Sequence, residues 1–340
     1  MIETLRMRQA VIQALADELE SDERVFLIGE DIGEAGGAFK ATEGLYQRFG
    51  GKRVIDTPIS EMAFLGAAVG SAATGLRPVV EMMFIEFIGV ALDQLTTEAA
   101  KFRYLSRGQL TVPLTVRAAA GAGLGFGCQH SQMLDQWFRG TPGLKVVVPS
   151  GARSAYGLLR AAIRDDDPVV VLEHKALYGE REDVEVGDQG IMTIGKAEVR
   201  RSGTDVTVIG LGKTTGTALE AAALGQSGWS AEVIDLLTLV PWDCQTVIES
   251  VRKTKRLVII EEAPQSGGWG ADISDEVSAE LFGHLLAPVL RIATPDVPIP
   301  YNGDLESKFL PTAKVAVDQI NELIKTGKRP SMWWELGAGK

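Results

Sequence analysis

The feature that most constrains the fold is a rhythm: short, almost unbroken apolar runs rich in β-branched residues, separated by stretches with helical patterning. In the first half these runs are Arg24–Gly29, Arg77–Met83, Val112–Arg117, Leu144–Pro149 and Pro168–Glu173. Helical patterns lie between them at Ser60–Gly75, Phe87–Leu105 and Arg153–Arg164. A strand that faces water on one side alternates apolar and polar residues, whereas one covered on both faces reads as a continuous apolar run. The pattern therefore predicts parallel strands sandwiched between helices. A polar stretch at Lys175–Gly190 interrupts the rhythm and is the expected domain boundary. Strands then resume at Asp205–Ile209, Ala231–Asp235, Leu257–Glu261 and Val289–Ala293, with helices at Thr214–Leu224, Asp243–Lys253, Gly270–Phe282 and Thr312–Lys325. The expected architecture is two α/β domains with mainly parallel sheets, spanning 1–190 and 191–326, followed by a tail over 327–340. Ligands of such sheets gather at the carboxyl ends of the strands.

Composition narrows the function. The formal charge of −11 argues against nucleic acid or an anionic membrane as the main partner. Two cysteines, Cys128 and Cys244, are too few for a disulfide framework and fit a reducing compartment. No apolar run approaches membrane-spanning length, and the acidic residues Glu3, Asp17, Glu18 and Glu20 make the N-terminus unlike a signal or transit peptide. A cytoplasmic protein is expected.

Several tempting motifs fail. Gly210-Leu211-Gly212-Lys213-Thr214-Thr215-Gly216 follows a strand and opens a helix, but Thr215 stands where the dinucleotide fingerprint needs its third glycine, and Thr207 where a Walker loop needs its first. Cys128 and His130 have no second pair to complete a zinc site, and His174 and His284 read as structural. The segment Asp56-Thr57-Pro58-Ile59-Ser60-Glu61 is more informative. Pro58 keeps Thr57 extended, Ser60 is placed to cap the next helix, and Glu61 falls in its first turn, where a carboxylate is electrostatically favourable. Taken alone, Glu61 is a helix-start residue.

That segment does not stand alone. Leu27-Ile28-Gly29-Glu30-Asp31, Ala41-Thr42-Glu43-Gly44-Leu45, Asp93-Gln94, Ala99-Ala100-Lys101, His130-Ser131-Gln132, Pro142–Val147 and Leu172-Glu173-His174-Lys175 accompany it in order. As a set, over about residues 1–325, they resemble the β subunits of thiamine diphosphate-dependent E1 components of 2-oxoacid dehydrogenase complexes, nearest the pyruvate and acetoin branches. The resemblance implies a transketolase-like pyrimidine-binding domain followed by a transketolase C-terminal domain. It implies that Glu61 binds the ring nitrogen of the cofactor's aminopyrimidine and shares a proton with it. It also implies that Phe87 and Met83 pack on that ring, that His130 is the substrate-side acid/base or hydrogen-bond donor, and that Glu30 belongs to a polar path between paired sites. Potassium is implied on backbone oxygens of Leu114, Ala162, Asp165 and Asp167, where Arg164-Asp165-Asp166-Asp167-Pro168 also reads as a plain acidic turn.

One motif is missing. Thiamine diphosphate enzymes hold Mg²⁺ and the diphosphate with Gly-Asp-Gly and a paired Asn, but here Gly187-Asp188 is followed by Gln189 and Gly303-Asp304 by Leu305. The resemblance therefore implies an α subunit that carries this motif and holds Mg²⁺, in an α₂β₂ heterotetramer. The expected activity is decarboxylation of a small 2-oxoacid, or acetoin cleavage, with acyl transfer to a lipoyl-E2 core. The alternative is a stand-alone α₂β₂ carboligase. Three departures from the family pattern bear on this. Val90 replaces a polar residue, Leu286 replaces an Asp presented toward E2, and the tail carries Trp333-Trp334, which marks either a protein contact or a disordered end.

Overall fold

The computed structural model describes residues 1–335 as two compact units. The first comprises Met1–Gly121, Trp137–Ile194 and Leu239–Pro241. Its seven-stranded sheet has the order Thr238–Val240, Lys145–Val147, Val169–His174, Thr115–Ala120, Arg77–Met82, Val25–Gly29, Val54–Asp56. From Lys145–Val147 to Val54–Asp56 every neighbouring pair is parallel. The continuous apolar runs are explained: every residue of Thr115–Ala120 and Val169–His174 is buried.

Three expectations shift. The strand expected at Val112–Arg117 begins only at Thr115, because Pro113 has no N–H to give a ladder. The helix expected over Phe87–Leu105 is divided into a 3₁₀ segment Ile85–Val90, a π segment Gln94–Ala99 and an α segment Ala100–Leu105. The Thr96 hydroxyl donates to the Leu92 carbonyl at 2.9 Å, a back-bond that competes with regular helix pairing. Within Lys175–Gly190, Arg181–Glu185 pairs antiparallel with Ile2–Arg6, so this polar stretch is folded into the first unit up to Ile194. Its polarity reflects an exposed two-stranded ribbon rather than a free linker. The helix Met7–Ser21 packs on Ala152–Arg164, where buried Arg160 donates to buried Glu18 at 2.7 Å.

The second unit comprises Ala122–Gln136, Gly195–Thr238 and Trp242 onward. Its sheet has the order Leu290–Thr294, Leu257–Pro264, Val206–Gly210, Ala231–Asp235, Glu198–Arg201, with only the last strand antiparallel. Lys213–Leu224 and Ala313–Thr326 pack over a core that includes Val208, Ala218, Val233, Ile292, Ala316 and Ile320. The tandem tryptophans, read as a protein contact or a disordered end, are both half-buried. Trp333 packs against this core and its indole N–H donates to the Ala293 carbonyl on the edge strand at 3.0 Å, while Trp334 meets it edge-on at 5.4 Å. An indole can satisfy both an apolar pocket and a backbone acceptor, which is why the tail is held. The rest of the tail, 336–340, lies outside the described residues. No helix among the described residues is long and apolar enough to cross a membrane.

Candidate active site

In the first unit, the residues singled out from the sequence gather past the carboxyl ends of the parallel strands. Glu30 follows Val25–Gly29, Glu61 follows Val54–Asp56, and Met83 and Phe87 follow Arg77–Met82. Gly29 must be glycine because a Cβ there would come within 2.7 Å of the Glu81 carbonyl. The next turn is fixed by Asp56, whose carboxylate accepts the Gly33 N–H at 2.7 Å.

Glu61 opens the helix Glu61–Ala73, which is lined with Gly66, Gly70 and several alanines. Ser60 does not cap this helix through its side chain as expected. Its hydroxyl donates to the Pro58 carbonyl at 2.9 Å, and its backbone N–H donates to Glu30 Oε1 at 3.2 Å. A carboxylate from a neighbouring loop thus accepts the N–H of the N-cap residue itself, as the partner side chain of a capping box does, and leaves the first-turn N–H groups without the serine hydroxyl. Burial pushes the Glu30 carboxyl above its ordinary range. The Ser60 N–H acts against this shift, and the negative charges of Glu61 and Asp31 add to it. Glu61 itself is half-buried and, among the described residues, makes no hydrogen bond or ion pair. The two neighbouring carboxyls therefore have different surroundings: one is buried and inclined to hold a proton, the other is open to an external partner.

Aromatic rings stand beside them. Phe84 meets Phe39 edge-on at 5.5 Å and Phe87 at 5.8 Å, with Met83 and Phe87 half-buried. The buried Lys175 ammonium lies 5.6 Å from the Phe84 ring. The unit therefore offers a carboxylate and partly open aromatic surface, the groups needed to grip a flat, basic heteroaromatic ring.

Sequence reasoning missed the ionic network beneath. Arg117, 3% exposed, donates to both oxygens of fully buried Glu173 at 2.8 and 2.6 Å and also to Glu81. The Tyr178 hydroxyl donates to Glu173 at 2.7 Å. Burial raises the Glu81 carboxyl against the pull of Arg117, and burial together with Glu173 holds the Tyr178 phenol well above its ordinary value. Burial opposes the charge of Arg117, but Glu173 and Glu81 outweigh it and keep the guanidinium ionised. The available signal was a charged residue inside each of three apolar runs.

His130 belongs to the second unit, within Ala122–Gln136. It is half-buried, and its backbone N–H donates to the Gly127 carbonyl at 3.2 Å. His174 is buried, its Nδ1 accepts the Ala176 N–H at 3.2 Å, and its ring occupies the space a side chain at Gly121 would need. At the acidic turn, the Leu114 carbonyl accepts the Val169 N–H at 2.9 Å and the Ala162 carbonyl accepts the Asp165 N–H at 3.2 Å. Arg77 donates to the Asp165 carbonyl at 3.0 Å, Lys145 binds the Asp165 carboxylate at 2.7 Å, and Arg103 pairs with Asp167. Two side-chain cations thus already serve Asp165. No cluster of three or more His, Cys, Asp or Glu suited to a metal occurs among the described residues.

Comparison with known proteins gives the family of the chain. Residues 3–181 match the family described as transketolase, pyrimidine binding domain, and residues 195–315 match transketolase, C-terminal domain. The chain is 47% identical to pyruvate dehydrogenase E1 component subunit beta-2, mitochondrial, of Oryza sativa subsp. japonica, over 96% of this chain and 86% of that protein. It is 45% identical to pyruvate dehydrogenase E1 component subunit beta of Rhizobium meliloti, covering 93% and 69%. It is 42% identical to acetoin:2,6-dichlorophenolindophenol oxidoreductase subunit beta of Cupriavidus necator, covering 96% and 100%. In fold it is similar to a split-gene transketolase solved as an inactive β4 tetramer, with TM-score 0.76 at 23% identity, covering 94% and 98%. The chain belongs to the family of E1 β subunits of the pyruvate and acetoin dehydrogenase branch, built from transketolase pyrimidine-binding and C-terminal domains.

Proposed function

We propose that this chain is the β half of a thiamine diphosphate-dependent E1 enzyme. It would decarboxylate a small 2-oxoacid such as pyruvate, or cleave acetoin, and pass the acyl group to a lipoyl protein. The observation that carries the reading is the half-buried Glu61 carboxylate beside buried Glu30, past the strand ends and without a hydrogen-bond or ion-pair partner among the described residues. Thiamine diphosphate, when bound, supplies a stabilised carbanion equivalent. The residues present fit one end of that cofactor only. Glu61 would hold the ring nitrogen of its aminopyrimidine and exchange one proton there, with Met83 and Phe87 flanking the ring. Glu30 would hold the start of the Glu61 helix through the Ser60 N–H and belong to a polar path between paired sites. His130 would donate to, or accept from, the substrate oxygen and would serve the transfer of the acyl group to the lipoyl protein.

Nothing in the sequence fits the diphosphate and its Mg²⁺, since no Gly-Asp-Gly is present. An α subunit in an α₂β₂ assembly would hold both. A potassium ion on the Leu114, Ala162, Asp165 and Asp167 carbonyls would share its turn with Arg77 and Lys145 and act structurally. The test is reconstitution with the α subunit, thiamine diphosphate and Mg²⁺. Turnover of pyruvate or acetoin with dichlorophenolindophenol, and acylation of a lipoyl domain, are expected. Formation of acyloin alone, with no transfer to the lipoyl domain, would instead identify a carboligase.

A further inference from the structure

The segment Gly121-Ala122-Gly123-Leu124-Gly125-Phe126-Gly127 precedes His130 by three residues. All four glycines have positive φ: 88°, 98°, 74° and 72°. Only glycine adopts this conformation readily, and alternating it with ordinary residues turns successive N–H groups toward one side, making a concavity that favours an anion. Here the anions are the protein's own. Gly123 and Gly125 donate to the two oxygens of Glu306, each at 2.9 Å, and Ala122 donates to Glu262 Oε1 at 2.5 Å. Glu306 is 3% exposed and sits on the helix Gly303–Phe309, whose start is capped by Asn302. Glu262 sits on the strand Leu257–Pro264. Ala122–Gly127, Glu262 and Glu306 are in the second unit, as is His130.

We infer that Glu306, with Glu262 as a second anchor, is a positioning residue for His130. A run of four glycines has a large conformational freedom to lose, so without an anchor the loop would sample many shapes and carry His130 with it. A carboxylate suits the task because it accepts on both oxygens; an amide would accept on one and set its own N–H₂ against the second glycine N–H. The inference rests on the reading of His130 as the group that serves acyl transfer.

The test uses the reconstituted holoenzyme and a reporter within the same loop. Cys128 is a free, exposed thiol two residues before His130. The rate of its alkylation by a small maleimide reports loop order without reference to catalysis. Lipoyl-domain acylation and dye-linked turnover are measured alongside. Glu306→Gln is expected to raise the Cys128 rate several-fold and to slow acyl transfer about tenfold beyond any change in dye-linked turnover. Glu306→Ala is expected to approach about 10²-fold, the scale of a misplaced catalytic group. Glu306→Asp, which keeps both acceptors, recovers most of the loss, and it remains informative if the alanine variant does not fold. An unchanged Cys128 rate in folded Glu306→Gln overturns the anchoring. A raised rate with unchanged acyl transfer overturns the positioning role. His130→Ala tests the underlying reading separately: if it transfers acyl groups normally, that reading fails while the Cys128 result still judges the anchor.

Discussion

Glu81 and Glu173 stand on the strands beside Arg117, whereas Glu30 and Glu61 stand one step further out, past the strand ends of the same sheet. The inner pair shares the Arg117 guanidinium, and Glu173 also accepts a hydrogen bond from the Tyr178 phenol. The outer pair has a single backbone N–H between them, donated by Ser60 to Glu30. The inner carboxylates tie neighbouring strands of the sheet together, while the outer ones have no cation paired with them among the described residues. Burial alone does not separate the two pairs, since Glu30 is itself 7% exposed; the presence or absence of a matched cation does.

The largest effect that would test this contrast is at Arg117. Replacing it by Met leaves two buried carboxylates uncompensated and is expected to cost about 3–5 kcal/mol in urea unfolding. A loss below about 1 kcal/mol would show that the inner network is dispensable. Next comes Glu61→Gln. It is expected to lower kcat about 10²- to 10⁴-fold while changing stability by less than about 0.5 kcal/mol. Full activity in this variant would sink the proton-exchange role, and a large stability loss would erase the distinction from the inner pair.

The smallest effect concerns pH and Glu30. Its folded carboxyl lies above the ordinary value of 4.5, so the folded state holds the proton more tightly than the unfolded chain. The stability this provides is complete below that ordinary value and is lost as pH rises through the raised folded value. Glu30→Gln should therefore flatten the decline of stability with pH across that window. An unchanged slope would mean that Glu30 titrates alike in both states.

The sheets were legible because each parallel strand reads as a local apolar run, and the outer carboxylates because Glu61 lies at a readable strand-to-helix junction. The Ser60 cap was misjudged because its hydroxyl turns back to the Pro58 carbonyl, and the Glu30 carboxylate that accepts its N–H is remote in sequence and brought near only by the fold. Arg117, Glu81 and Glu173 were visible as charges inside apolar strands, but their pairing depends on register, which the runs do not encode. The helix expected over Phe87–Leu105 failed for a subtler reason: apolar periodicity persists across 3₁₀ and π segments that the Thr96 back-bond helps to separate. The grip of Glu306 on the glycine loop leaves no local trace, since its partners lie 181 and 183 residues away.

That separation bears on how the subunit is made. Synthesis proceeds from the N-terminus, so the glycine loop emerges from the ribosome long before Glu306 is translated, and Glu262 arrives 140 residues after Ala122. A nascent chain halted anywhere between these points already carries Glu61 and His130 but lacks the Glu306 clamp. The loop that carries His130 is therefore clamped only once the helix Gly303–Phe309 has been made, and a chain truncated before residue 306 carries that loop without its clamp.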